Sequence, residues 1–122
     1  MDKEAQNAAE RFANELMETS IFKTYYRKKE DFNTNDDCQE VLLKFDSLRA
    51  DLMEKQQSGN LTQEDMQELR QMQKELHSME TYQELKAAEG QAAGFVQEIN
   101  KELSGPLGFD FGTFVKPPGG CC

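Results

Sequence analysis

The sequence predicts an all-α protein of about five helices, with a long central antiparallel helical hairpin and a Gly/Pro-rich C-terminal tail. All three prolines lie at position 106 or later, so the preceding chain lacks the strongest helix breaker. Apolar residues in that part recur at spacings of three and four, the period of an amphipathic helix. We therefore expect a helical domain over residues 1–104 and a flexible Phe/Gly/Pro tail over residues 105–122.

The first two helices follow from one apolar stripe and one capping signal. Ala5, Ala9, Phe12 and Leu16 follow one another at spacings of four, three and four. Thr19 or Ser20 is suited to cap a second, shorter helix, whose apolar side holds the residues Ile21, Tyr25 and Phe32.

The third and fourth helices are predicted to form the hairpin, over residues 36–57 and 62–78. The polar stretch 33–37 favours a new helix start, and Val41, Phe45, Leu48 and Leu52 then repeat at helical spacing. Thr62 and Asp65 match a capping box, with Leu61 and Met66 placed for a hydrophobic staple. The fourth helix carries an apolar stripe of its own: Met66, Leu69, Met72, Leu76 and Met79.

The length of this hairpin predicts a partner. Its helices would span about 33 and 25 Å, whereas the radius of gyration expected for a compact chain of this size is about 14 Å. An apolar stripe extending beyond the remaining helices favours self-association or docking to another protein. The residues predicted to form this partner or oligomer interface are Val41, Phe45, Leu48, Leu52, Met66, Leu69, Met72 and Leu76. The alternative is an internal five-helix core that leaves no stripe uncovered.

The fifth helix is predicted to start at a Ser78 cap and to end at Gly105 and Pro106. Three phenylalanines of the following tail, Phe109, Phe111 and Phe114, are too few and too close to glycines to form a core. We expect them to pack on the helices or on a partner.

Composition and charge restrict the function classes. The 23 acidic residues outnumber the 14 lysines and arginines, for a formal charge of −9, and this acidity argues against direct nucleic-acid binding. The only cationic cluster, Arg27 to Lys29, is more typical of a solvated helix face. The absence of a long apolar run or a secretory signal pattern predicts a cytoplasmic protein without a membrane segment.

The sequence contains no recognisable catalytic motif: it has no phosphate-binding loop, no nucleophile elbow and no metalloprotease signature. His77 is the only histidine and is expected on the surface. Cys38, beside a predicted helix start, is expected to be a half-buried structural thiol. We therefore predict a protein that is not an enzyme.

The last two residues, Cys121 and Cys122, are the candidate metal ligands. Two thiolates are half of the usual four, so a metal or iron-sulfur cluster there would be shared with a partner chain. The alternatives are free thiols and, less consistent with the lack of a nucleotide-binding loop, paired prenylation.

The order of residues over about 9–104 resembles the YlbF/YmcA family of bacterial regulators. The positions that carry the resemblance are Leu16, Ser20, Tyr25, Asp36, Gln39, Leu42, Phe45, Gln57, Gly59, Leu76, Tyr82, Ala88, Glu89, Ile99 and Asn100. Some family members also continue into a Phe/Gly segment that ends in cysteines, and residues 109–122 look like a shortened version.

The resemblance implies an all-helical, dimer-forming regulator without enzymatic activity. Family members join a complex that acts with the endoribonuclease RNase Y in RNA processing and influences competence, sporulation and biofilm formation. Cysteine-rich tails of some members help to hold iron-sulfur clusters, and only Cys121 and Cys122 correspond to such ligands. The expected partner is thus a second copy or a paralogue, within a possible RNase Y complex. The alternative is a small metal-sensing or redox-sensing protein that acts through the tail thiols.

Overall fold

The computed structural model describes residues 1–115, which form five substantial helices and one short helical turn. The helices are α1 (Lys3–Glu18), α2 (Ser20–Thr34), α3 (Asp36–Ser58), α4 (Gln63–His77), α5 (Glu80–Leu107) and α6 (Phe111–Phe114). The predicted all-α fold is confirmed. Because α3 and α4 are joined by a short turn and pack along each other, they form the predicted antiparallel hairpin.

Side-chain caps explain most of the helix starts. Thr19 accepts a hydrogen bond from the Phe22 amide at 3.4 Å, which confirms it as the cap of α2. Asn35 caps α3 by accepting from the Cys38 amide at 3.0 Å. Its amide nitrogen also lies 3.4 Å from the Thr81 hydroxyl, so one side chain joins the α2–α3 corner to α5.

The hairpin turn is specified on both sides. Gly59 ends α3 with φ 76°, a left-handed conformation that glycine adopts without steric cost. The capping box at Thr62 is complete: the Asp65 amide donates to the Thr62 hydroxyl, and the Thr62 amide donates to the Asp65 carboxylate, both at 3.1 Å. The aspartate side chain, although shorter than the usual glutamate, therefore reaches the backbone amide of the N-cap residue. The hydrogen bond from the Thr62 amide, followed by the one from the Lys55 ammonium, lowers the pKa of the Asp65 carboxyl.

Both ends of α5 differ from the prediction. Ser78 does not cap α5; it ends α4, where its hydroxyl donates to the Glu75 carbonyl at 2.7 Å, and Met79 takes the cap position. The predicted stop at Gly105 is also wrong, because α5 continues to Leu107 with Pro106 inside its last turn. A proline this close to the end of a helix removes little backbone hydrogen bonding. The C-cap of α5 is Gly108, with φ 75°.

The core lies where α2, α3, α4 and α5 meet, at the base of the hairpin. Phe32, Cys38, Val41, Leu76 and Leu85 form its buried cluster. α2 packs mainly along α5, where the Lys28 ammonium lies 2.9 Å from the Glu84 carboxylate. Small residues on α5, Ala88 and Ala92, are also buried and let neighbouring helices approach closely.

Candidate protein-interaction surface

Three of the eight residues of the predicted hairpin stripe are buried within the chain itself. Val41, Leu52 and Leu76 are buried, so these three side chains pack inside the monomer. The other five members remain half-buried: Phe45, Leu48, Met66, Leu69 and Met72. The most exposed apolar side chains of α3 lie outside the stripe, at Leu43 (67% exposed) and Met53 (57% exposed).

A second apolar surface lies at the other end of the molecule, where α1, α5 and α6 come together. It surrounds an almost wholly apolar groove of about 280 Å³. Seven apolar side chains line this groove: Phe12 and Leu16 on α1, Val96, Ile99 and Leu103 on α5, Phe111 on α6, and Val115 directly after α6. We call this region the α1/α5/α6 face.

Helix α1 is the least covered part of this face. Within residues 1–115, each of its side chains is exposed or half-buried, although the helix is strongly amphipathic. Phe12 and Met17 are about half exposed. These uncovered apolar side chains make the helix a candidate surface for contact with another molecule.

A set of polar contacts holds α6 against the end of α5. The side-chain Oδ1 of Asn100 accepts from the Gly112 amide at 2.7 Å, and the Ser104 hydroxyl accepts from the Phe111 amide at 2.9 Å. Asp110 caps α6 by accepting from the Thr113 amide at 2.9 Å. That hydrogen bond, followed by one from Asn100, lowers the pKa of Asp110. These contacts place Phe111 and Val115 as one wall of the groove.

The tail phenylalanines behave in two ways. Phe111 lines the groove, whereas Phe109 and Phe114 contact each other with ring centroids 4.8 Å apart. Phe114 stays 74% exposed. The expectation that these rings pack on the helices therefore holds for Phe111, and the other two form a small exposed pair.

The side chains that could have taken part in catalysis or nucleic-acid binding contribute to packing or pair with neighbouring side chains. Cys38 is fully buried rather than half-buried, and burial, with a smaller contribution from Asp37, raises the pKa of its thiol. A buried neutral thiol is a poor nucleophile. His77 is exposed and stacks on Tyr82 with ring centroids 5.1 Å apart. Of the cationic cluster, Lys28 pairs with Glu84 and Lys29 lies 5.9 Å from the centre of the Tyr25 ring.

Within residues 1–115, no group of three or more His, Cys, Asp or Glu side chains is placed to hold a metal ion. The predicted ligands Cys121 and Cys122 lie outside the described residues. None of the helices in the described part of the chain is both long and apolar enough to span a bilayer.

Sequence reasoning missed the α1/α5/α6 face as a site, although it identified the stripe on α1 and the tail phenylalanines separately. What it could not predict is that these elements come together and that residues 1–115 cover so little of α1.

Comparison with known proteins assigns the chain to a family. Neither the curated proteins nor the solved structures gave a match. A family model does match residues 5–108, and its description reads "Control of competence regulator ComK, YlbF/YmcA". The matched range runs from the first turn of α1 to the end of α5 and includes the positions on which the resemblance was based. The chain therefore belongs to the YlbF/YmcA family, which is described as a family of regulators of competence through ComK.

Proposed function

We propose that this chain is a non-enzymatic interaction subunit of a regulatory complex. It pairs with a second copy or with a paralogue, and the assembly acts with RNase Y in RNA processing, with effects on competence, sporulation and biofilm formation. Its contribution to regulation is the binding and positioning of other proteins. The observation that carries this proposal is the uncovered apolar α1/α5/α6 face.

The physical support is that this surface is apolar and half exposed. Apolar side chains in contact with water are unfavourable, by about 25 cal/mol per Å² of apolar area, and association removes that area from water. Such a groove also lacks the convergent polar groups that an active site needs, because its lining is almost entirely hydrocarbon. A binding role therefore fits the geometry better than a catalytic one.

The hairpin remains the predicted contact for a further partner. Of the eight residues predicted there, the five half-buried ones retain surface for such a contact, and Leu43 and Met53 add exposed apolar area beside them. The acidic side chains around the hairpin, such as Asp51, Glu54 and Glu68, favour a partner surface that carries basic residues.

The proposal is tested by affinity purification of the full-length chain, with its tail intact, from its native host. Quantitative mass spectrometry should recover RNase Y and family paralogues far above a tag-only control. A Leu43→Glu, Met53→Glu variant should lose RNase Y, because two carboxylates would be desolvated in the contact. A Lys44→Glu variant on the same helix is the matched control and should retain RNase Y. If neither RNase Y nor a paralogue is enriched with the wild-type chain, the proposed function is wrong.

A further inference from the structure

The amphipathic helix α1 has an apolar stripe that is symmetric about its own midpoint. This midpoint lies between Glu10 and Arg11. Ala9 and Phe12 are equally far from it along the chain, and so are Ala5 and Leu16. The first half of the stripe holds only small side chains, and the second half only large ones.

This arrangement is complementary to itself in one orientation. In an antiparallel pair centred between Glu10 and Arg11, Ala9 of one copy faces Phe12 of the other, and Ala5 faces Leu16. Each large side chain then packs on a small one, as knobs pack into holes in paired helices. A parallel pair would instead place Phe12 on Phe12 and Ala5 on Ala5, leaving crowding at one end and a void at the other.

The positions that flank the stripe do not oppose this pairing. Next to the apolar residues at helical spacing lie Gln6, Ala8, Ala13 and Glu15, which carry a single charge per helix. In the antiparallel pair Glu15 lies opposite Ala8 of the other copy. Self-association of a chain with a formal charge of −9 needs such a weakly charged contact, and α1 provides it.

Helix α1 also needs cover for its own stability. An isolated helix of about 15 residues is only marginally stable in water, and α1 has 16 residues without a buried side chain in the described part of the chain. The groove beside it continues the apolar surface onto α5 through Val96, Ile99 and Leu103. In the first copy, Phe12 and Leu16 form one wall of this groove. The half of a second α1 that carries Ala5 and Ala9 is narrow enough to approach that wall closely.

From these observations we propose that α1 of a second copy packs antiparallel on α1, over the α1/α5/α6 face, to form a two-fold symmetric dimer. The interface is isologous, with its axis passing near Glu10 and Arg11. This inference rests on the proposed function as an interaction subunit. It specifies that one partner is a second copy of the chain, and it gives the helix and the register through which the two copies pair.

The first test is the mass in solution. Sedimentation equilibrium of the full-length protein at tens of micromolar should give twice the mass of the chain. A Phe12→Glu, Leu16→Glu variant should give the mass of one chain. The control Leu43→Glu, which places the same charge on an exposed apolar residue of α3, should stay dimeric. Circular dichroism checks folding, and the core at Phe32 and Leu85 should persist in the variant because α1 contributes nothing buried to it.

The second test is the register, which needs no disruptive substitution. Spin labels are attached at Lys3→Cys or Glu18→Cys in a Cys121→Ser, Cys122→Ser background, where the buried Cys38 stays unlabelled. In the proposed dimer, two labels at position 3 are separated by about 22 Å along the helix axis, from 15 residues at 1.5 Å each. A mixture of chains labelled at 3 and at 18 should give a clearly shorter distance than either chain alone.

The outcomes separate this inference from the proposed function. A monomeric wild-type protein, or a dimer in which the two labels at position 3 are the closest pair, overturns the inference. If that protein still recovers RNase Y, the interaction role stands and a different molecule covers the α1/α5/α6 face. A dimer with the expected distances that recovers no RNase Y and no paralogue supports the inference and refutes the proposed function.

Discussion

At the scale of single residues, Cys38 shows how burial decides the chemistry of a side chain. Its position beside the start of α3 suggested that the helix dipole could activate the thiol. In the folded chain only 1% of Cys38 is exposed, and burial raises its pKa above the usual 9.0. The desolvation of the thiolate therefore outweighs the hydrogen bonds with Thr81 and Tyr82 that lower the pKa, and Cys38 acts as a small apolar core residue.

This environment predicts the reactivity of the thiol. In a Cys121→Ser, Cys122→Ser variant, Cys38 is the sole remaining cysteine. We expect a thiol reagent such as DTNB to leave the native protein unmodified and to modify one thiol per chain in denaturant. Comparable rates in the native and denatured protein would show that Cys38 is accessible.

The same raised pKa gives the direction of a pH effect on stability. A thiol that ionises less readily when folded contributes its full stabilisation below its ordinary pKa of 9.0. That contribution is lost as the pH rises above this value, because the unfolded chain then gains the charged form. The free energy of unfolding of the Cys38→Ala variant should therefore change less than that of the wild type between neutral and alkaline pH.

At the scale of elements, the position of α6 depends on polar side chains rather than on burial. All of its residues are exposed, yet Asn100 and Ser104 on α5 accept hydrogen bonds from its amides. A Cβ at Gly112 would lie 3.1 Å from the Asn100 oxygen, so the close approach of the two elements also depends on a glycine. The α1/α5/α6 face is complete only while these contacts hold.

Replacement of Asn100 by alanine should therefore release α6. We expect the amides of α6 to exchange hydrogen at least several times faster, while those of α2 and the buried part of α5 keep their protection. Hydrogen exchange with mass spectrometry measures both in one sample. The exposed Gln97→Ala on the same helix is the matched control, and equal exchange of α6 in the two variants would contradict the role of Asn100.

At the scale of the whole molecule, charge determines which partners are favoured. The formal charge of −9 repels phosphate, and two members of the only cationic cluster are already engaged by Glu84 and by the Tyr25 ring. An effect on RNA processing would therefore be exerted through a protein partner.

We accordingly expect the purified chain not to bind a generic fluorescein-labelled RNA in anisotropy measurements at physiological ionic strength, about 0.15 M. An Arg27→Glu variant should behave like the wild type, since this cluster takes no part in binding. Tight binding that weakens steeply as salt is added would instead reveal direct contact with phosphates.

The sequence by itself determined the class of the fold and most helix boundaries, because these depend on local interactions. Thr19, Asn35, Gly59 and the Thr62–Asp65 capping box act on backbone groups a few residues away, so their positions can be read from the chain. Where local signals competed, as for Ser78 between the end of α4 and the start of α5, the sequence did not decide between them.

Only the tertiary structure decided which apolar stripe is left uncovered. The stripes on α1 and on α3 have the same spacing, and spacing alone does not reveal whether the covering helix belongs to the same chain. In the fold, α3 finds its cover on α4 and buries Val41 and Leu52, whereas α1 leaves Phe12 45% exposed. The difference arises from long-range packing, since Phe12 and Leu16 line an open groove with residues of α5 and α6 instead of packing in a closed core.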